Sequence, residues 1–513
     1  MKSSVIRRNL FFVITVILAA SQVMAQTPQD SPSPEYWPTR GWRMTTPEQQ
    51  GVDSNKLADT LDYIRNHEVN IHSLLVVRNG YIVMDAYFYP YRRDDVHDVA
   101  SVTKSITSVL VGIAVNQGKI SSVQQPVLGL FPDRLVANRE TRKERLTLER
   151  LLSMSSGLEC QFQPDEPTLR QMRQSSDWVQ FMLDRPMAAE PGKNFVYCSG
   201  GMHLLSGIIS QATGMSAFEF ARRTLFEPLG IHGAIWPSDG QGVTHGWGDL
   251  HLHPQDMAKI GYLWLNQGLW EGRQIVSADW VAASTRVQAT TGTESDYGFG
   301  WWVKSRQNPF IYEAVGRGGQ RISVVPSKNT IVVMTGGGYE PGDFAPLLLA
   351  SLKSDYRLPE NPAGAARLAA ALKAANHPPA PKRMQPLPEM AKTVSGRTYL
   401  LETNILDLRT LSLDFLAKPD ALVRLTFTDN HTEIHPIGLG GTKKVSPGGR
   451  FGLPVGVRGF WENSRVFVLD YDEIANINAL LFRLSFNGGQ VVIRLTEKSA
   501  NSEWKFEGKL TRK

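Results

Sequence analysis

The segment DVASVTKSITSVLVGI, residues 98–113, decides how the rest of the chain is read. Ser101 stands at the start of a predicted helix, and Lys104 follows three residues later, ahead of an apolar run. Residues three apart share a helix face, so the hydroxyl and the amine reach one another. Val109, Leu110, Ile113 and Ala114 continue an apolar stripe, which predicts a core helix with its start exposed at a sheet edge. Two chemistries fit this pattern. One is a capping serine followed by a solvated lysine. The other is a nucleophile whose proton a buried, neutral lysine accepts, with the helix N-terminus favouring an oxyanion. Taken alone the pair favours the first. Ser-x-x-Lys recurs at Ser502–Lys505, in SEWKFE, where a strand points residues three apart to opposite faces.

Outward from this segment the pattern is mixed. Upstream, DSNKLADTLDYIRNH (53–67) has Leu57, Leu61 and Ile64 at helical spacing behind a capping Asp53 or Ser54. SLLVVRNGYIVMDAYF (73–88) places two β-prone runs around Asn79-Gly80, a hairpin signal. Residues 136–290 are mostly helical, and 297–337 return to antiparallel strands with turns at Gly316–Gly319 and Ser327–Asn329. DFAPLLLASLKSDY (343–356) predicts a closing helix. Strands and helix, a helical stretch, then strands and helix predict one α+β domain with an α-helical insertion, over 40–358. Residues 359–389 are rich in Ala and Pro and read as a linker. From 390 to 513 short β-prone runs recur, predicting a small antiparallel barrel or sandwich.

The bulk numbers bound the function. The chain has 513 residues, 42% hydrophobic and 20% charged, which suits a globular protein of more than one domain. Residues 1–25 carry Lys2, Arg7 and Arg8, an apolar run from Leu10 to Ala20, and Val23-Met24-Ala25 before Gln26. This reads as a cleavable signal peptide, too short for a membrane span, and predicts a secreted or periplasmic protein. The net charge of +6 falls to about +3 once the three basic residues of the leader are removed, and no basic block argues for nucleic acid. Export permits a disulfide between Cys160 and Cys198, the two cysteines, and two buried thiols fit the sequence equally; their spacing excludes a CxxC metal site.

Two further features shift the reading of Ser101. Tyr197-Cys198-Ser199 sits at a turn before a helix, and Arg317-Gly318-Gly319 precedes Gln320 and a strand. Glycines there let a ligand approach the backbone closely. Ser101-x-x-Lys104, Tyr197-x-Ser199 and Arg317-Gly318-Gly319, in that order, resemble the penicillin-recognising serine hydrolases. Within them the chain is most similar to class C β-lactamases, D-alanyl-D-alanine carboxypeptidases, and the related esterases and 6-aminohexanoate-dimer hydrolases. LLSMSSGL, DMAKIGYLWLNQGLW, SADWV and YGFGWW look like family stretches too, so the resemblance runs through much of 45–355.

The resemblance implies a β-lactamase-like fold and an acyl-enzyme. Ser101 would be acylated, with Lys104 sharing or relaying its proton. Tyr197 would be the general base, its phenol acidified by Lys104 and Arg317. The N–H groups of Ser101 and Gln320 would form the oxyanion hole. Ser199, Arg317, Gly319 and Gln320 would contact substrate. Cys160 and Cys198 would lie near the cleft and pair. Ser199 stands where asparagine is commoner, Gly318 replaces a threonine, and arginine holds its proton where a lysine might donate it. These departures favour an exported esterase or amidase acting on small substrates. The alternatives are a carboxypeptidase or true β-lactamase acting on cell-wall peptides or β-lactams, and a non-catalytic binding protein on the same fold.

Other candidates carry less. His245, His251 and His253 cluster without a matching carboxylate–histidine set, and GRGGQ lacks the ending of a phosphate loop, so no metal or cofactor is expected. Of Trp301 and Trp302, alternation on a strand sends one to the core. Trp247 would line a pocket or the core. Asp165 and Glu166 read as a solvated acidic loop.

Overall fold

Asn79 and Gly80 both hold positive φ, 50° and 80°, and so close the expected hairpin. The hairpin joins β2 (Ile71–Arg78) to β3 (Tyr81–Tyr87), and β1 (Arg43–Met44) adds in parallel to the outer edge of β3. The computed structural model describes residues 34, 36–380, 386–487, 489–499 and 502–511. The expected signal peptide, 1–25, lies outside the described residues.

Period-two alternation assigns β2 to two cores at once. Leu75 and Val77 face the larger cluster, and Leu74 and Val76 face a second cluster on the opposite side. That second cluster is covered by α1 (Ser54–Asn66), whose N-terminus Asp53 caps by accepting from the Asn55 and Lys56 amides. The sheet is completed by the later strands β4 (Asp296–Tyr297), β5 (Trp302–Lys304), β6 (Ile311–Gly316), β7 (Gln320–Val325) and β8 (Thr330–Gly336). Its order is β1-β3-β2-β8-β7-β6-β5-β4, so β8 closes against β2 antiparallel and the two ends of the domain share one sheet.

The helical insertion fills the space between these strands. α2 (Val102–Asn116) begins at the segment that opened the sequence. It is buried from Val102 to Ala114, not along one stripe as expected. Three of its hydroxyls donate to carbonyls of neighbouring loops, while the buried Thr103 hydroxyl is unpaired among the described residues. Ser105, Thr107 and Ser108 donate to Gly300 O, Gly246 O and Phe299 O at 2.6, 2.8 and 2.6 Å. Around it lie α3 (Pro167–Gln174), α4 (Trp178–Asp184), α5 (Ser199–Thr213) and α6 (Pro254–Leu265). A Cβ on Gly261 of α6 would sit 2.8 Å from Ile331 and 2.9 Å from Ile322, which shows how closely this helix lies on the sheet. α7 (Ala345–Ser351) is the expected closing helix.

The expected linker is partly structured. Residues Pro362–Asn376 form a helix, α8, capped by Asn361, with Leu368 and Ala371 buried against α1 and Arg367 paired with Asp59 and Asp62. The alanines that suggested a spacer are strong helix formers, and the packing against α1 does the rest. Residues 381–385 lie outside the described residues.

The second domain is one ten-stranded antiparallel sheet. Its strands are β9 (Arg397–Leu401), β10 (Leu408–Asp414), β11 (Ala421–Phe427), β12 (Thr432–Ile437), β13 (Lys444–Ser446), β14 (Val455–Trp461), β15 (Val466–Glu473), β16 (Ala479–Asn487), β17 (Gln490–Glu497) and β18 (Ser502–Leu510). Gly438, just past β12, exchanges hydrogen bonds with Val457 and Gly459 of β14, so the sheet curls into a near-closed barrel. Ser502 and Lys505 lie on β18, as the strand reading required.

One close approach ties the insertion together. A Cβ on Gly246 would stand 2.1 Å from the Met202 carbonyl oxygen of α5, a backbone atom that cannot swing away. Gly246→Ala is therefore expected to lower the unfolding free energy by about 1–3 kcal/mol. The check is a reduced urea midpoint at unchanged m-value.

Candidate active site

Ser101 sits immediately before α2 with φ −72° and ψ −4°, and its hydroxyl caps nothing. Instead it accepts a hydrogen bond from Lys104 Nζ at 2.8 Å. Lys104 is 1% exposed, and its amine also donates to the Trp247 carbonyl at 2.9 Å. Burial pushes its pKa down to about 8, against the opposing influence of Glu166 and Asp249. A solvated lysine beside a capping serine is thereby excluded.

The turn into α2 is held from both sides. Ala100 has φ +47°, a left-handed conformation unusual for a residue with a Cβ. Asp98 Oδ1 accepts from its amide at 2.7 Å and braces it. Asp98 N donates to Ala475 O of the barrel at 2.7 Å, and Val99 N to Leu250 O at 2.8 Å. Burial raises the Asp98 carboxyl above its usual range.

Tyr197 meets the pair from the end of the segment before α5. The Lys104 amine lies 4.9 Å from its ring centre. Phe162, Tyr297 and Trp302 surround the ring, with Trp302 stacked at 6.0 Å and Phe162 edge-on at 4.9 Å. Trp301, its neighbour, is fully buried, so the adjacent tryptophans do divide between cleft and core. Burial raises the Tyr197 phenol above its ordinary range, and the hydrogen bond to Ser101 only partly opposes this. This departs from the expected acidification: desolvation dominates, and the Glu166 carboxylate raises the phenol further.

The third motif arrives on the β6–β7 turn. Gly316 pairs with Gln320, and a Cβ on Gly316 would lie 3.0 Å from Ser101 N, so this turn abuts Ser101. The Gln320 side chain is buried. It donates to Arg317 O and Gly336 O at 3.0 and 2.6 Å and accepts from Gly336 N, which fixes the turn. Arg317 does not face Tyr197. Its guanidinium donates to Ser499 Oγ at 2.6 Å and Asn478 Oδ1 at 2.9 Å, both in the barrel. Gly318 and Gly319 line an open pocket with Arg317, Arg321, Tyr339 and Ser499, and close neighbours bound them on the other side. Cβ atoms there would meet Ile477 and the Tyr339 ring at 2.3 Å each, and Tyr339 donates to Gly319 O. Ser199 begins α5, buried, with its hydroxyl unpaired among the described residues.

Cys160 and Cys198 form a disulfide with Cα atoms 5.9 Å apart. It ties the 160–166 loop, which carries Phe162 and Glu166, to the segment that carries Tyr197. Glu166 acts electrostatically on both Lys104 and Tyr197, so it belongs to the site and not to a remote solvated loop. Sequence reasoning also missed Asp98, and it missed the Trp247 carbonyl, since a backbone acceptor carries no side-chain signature. The histidine cluster separates: His245 pairs with Asp249 at 2.8 Å and stacks on Trp247, while His251 bonds Asn476 of the barrel at 3.0 Å. Among the described residues no cluster of three or more His, Cys, Asp or Glu is placed to hold a metal.

A serine bonded to a buried lysine, a neighbouring phenol and a sheet-edge turn fit a serine hydrolase on a β-lactamase-like scaffold. The β-lactamase family model matches residues 65–351, more than half of the sequence, and the chain belongs to that family. It is 23% identical over 318 residues to the 6-aminohexanoate-dimer hydrolase of Paenarthrobacter ureafaciens, covering 58% of this chain and 80% of that protein. It is 27% identical over 161 residues to the lovastatin esterase of Penicillium rubens, covering 28% of this chain and 40% of that protein. Among solved structures it is similar to the octameric penicillin-binding protein homologue from Pyrococcus abyssi. There the TM-score is 0.47 and the identity 16%, over 87% of this chain and 98% of that one.

The disulfide closes a loop with a sequence separation of 38. Restricting the unfolded chain by a loop of that size stabilises the fold by about 4 kcal/mol. The double variant Cys160→Ser, Cys198→Ser is expected to lose a substantial part of this, measured as a lower denaturant midpoint that dithiothreitol does not shift further.

Proposed function

We propose that the protein is an exported serine hydrolase that cleaves ester or amide bonds of small substrates through an acyl-enzyme on Ser101. The observation that carries this reading is the 2.8 Å bond between Ser101 Oγ and a lysine amine whose pKa burial lowers to about 8. Near neutral pH a usable fraction of Lys104 is uncharged and accepts the serine proton as Oγ attacks the carbonyl carbon. The N–H groups of Ser101 and Gln320 receive the oxyanion. Tyr197, held protonated by burial, donates its proton to the departing alkoxide or amine and recovers one from Lys104. Water then attacks the acyl-enzyme by the same route in reverse, releasing the acid and free Ser101.

Two features speak about the substrate. Arg317 is engaged by Asn478 and Ser499, so the cation that would clamp a substrate carboxylate is withdrawn. Glu166 adds negative charge near Lys104 and Tyr197. Both favour neutral esters and amides over carboxylate-bearing peptides or β-lactams. Export rests on the leader sequence and is supported by the disulfide, which suits an oxidising compartment.

The test is a panel of p-nitrophenyl butyrate, a p-nitroanilide and nitrocefin. Ester turnover is expected to lead, and Ser101→Ala to lower it by about a thousandfold or more. Equal rates for Ser101→Ala and the native chain would overturn the assignment. Because the neutral amine is the active form, kcat/KM is expected to rise with pH through an apparent pKa of about 8 and level off above it. A pH profile flat across that range would remove Lys104 from the role of base.

A further inference from the structure

The barrel contains a cavity of about 700 Å³ that the proposed hydrolysis does not use. Its origin is geometric. An eight-stranded barrel is just wide enough for its own side chains to fill, or to hold one small ligand, and diameter grows with strand number. Here the sheet has ten strands, a buried cluster fills much of the interior, and the remaining space lies among strand ends and the 449–452 turn. Leu425 and Phe427 of β11 and Leu480 and Phe482 of β16 give it an apolar lining.

Among the polar groups that interrupt this lining, one carboxylate is deeply buried. Glu433 of β12 is 5% exposed. Despite burial, which alone would raise it, hydrogen bonds from His435 and Tyr471 hold its carboxyl below the usual range, so it is anionic. His435 Nε2 lies 3.2 Å from Oε2, and Tyr471 donates to the same oxygen. Oε1 meets the half-exposed His431 at 3.5 Å, the outer limit of a hydrogen bond, and so keeps capacity for a closer donor. Asp407 and Asp429 also line the cavity, against the single arginine Arg450, so its field favours a cation; burial raises the Glu473 carboxyl to about 7, so it adds less.

The rim carries an independent mark. Phe451 has φ +59°, a conformation costly for a bulky side chain, and it is 44% exposed. Its ring receives the Arg450 guanidinium at 4.8 Å, so it already presents an aromatic face to a cation. Phe451 also lies edge-on to His251 at 5.6 Å, and Asn478, another lining residue, bonds Arg317. The cavity therefore sits at the end of the barrel that meets the first domain.

We propose that this cavity is a binding site for an amphipathic ammonium ion, with an alkyl or aryl body against Leu425, Phe427, Leu480 and Phe482 and the cationic group on Glu433. Pockets of this volume with apolar walls and few convergent polar groups suit small ligands, and a charge-assisted bond to a buried carboxylate selects the cationic head. This site is separate from Ser101, and its occupancy does not depend on the hydrolase reading.

The test is calorimetric titration of the full chain with decylammonium, decanol and decanoate, each below its aggregation threshold. Saturable one-site binding of decylammonium is expected, roughly tenfold tighter than decanol, with decanoate weakest. Glu433→Gln, nearly isosteric, should bring decylammonium down to the level of decanol and leave decanol unchanged. Leu480→Trp, which fills the cavity, should abolish both while ester hydrolysis persists. Should Leu480→Trp not fold, Glu433→Gln decides alone. Absence of saturable binding, tighter binding of decanoate, or decylammonium affinity unaltered by Glu433→Gln would each overturn the proposal.

Discussion

The burial of one lysine amine organises the rest of this molecule. A charged ammonium at 1% exposure is strongly disfavoured, and the protein gives Lys104 a hydroxyl and one carbonyl in place of a carboxylate partner. That choice lowers the pKa of the amine to about 8, so part of it is neutral near physiological pH. It also demands that the Trp247 carbonyl stand in a fixed place. The loop that carries it is anchored by Gly246 against α5, by the His245–Asp249 pair, and by Trp178 and His245 packed on Trp247. The helical insertion is thus the frame around a desolvated base, and α2 has to be buried on every side for the frame to work.

A second constraint comes from the barrel, which is more than an appended module. From Trp37 onward the chain forms a single unit. Ala475 accepts from Asp98 N three residues before Ser101, Asn476 bonds His251, and Asn478 and Ser499 hold Arg317. Ile477 fills the space beside Gly318. Both backbone segments that supply the expected oxyanion donors are therefore braced by one end of the barrel. Arg317, expected to contact substrate, ties the β6–β7 turn to the barrel through Asn478 and Ser499.

The elements legible in the chain were those whose cause is local. The Asn79-Gly80 turn, the Asp53 cap and the division of Trp301 from Trp302 follow from conformational preference and period-two alternation, which neighbours along the chain settle. The site was legible in its residue types and their order: Ser101, Lys104, Tyr197 and Gln320 do converge. The direction of Arg317 was not, because Asn478 and Ser499 lie more than 150 residues away and a long, flexible side chain goes where its partners are. The helix at Pro362–Asn376 was missed for a related reason: its alanines suit helix or spacer, and packing against α1 chose between them.

What the sequence by itself determined is the chemistry available at 101–104, a hydroxyl and an amine one helical turn apart, and the β-lactamase-like scaffold that its later motifs resemble. Only the tertiary structure decided what that pair becomes. Spacing alone cannot separate a capped helix with a solvated cation from a desolvated base, because both have the same local geometry. The difference lies in solvent exclusion by residues distant in the chain: Trp247 above the amine, Tyr197 beside it, and a barrel that takes Arg317 for itself.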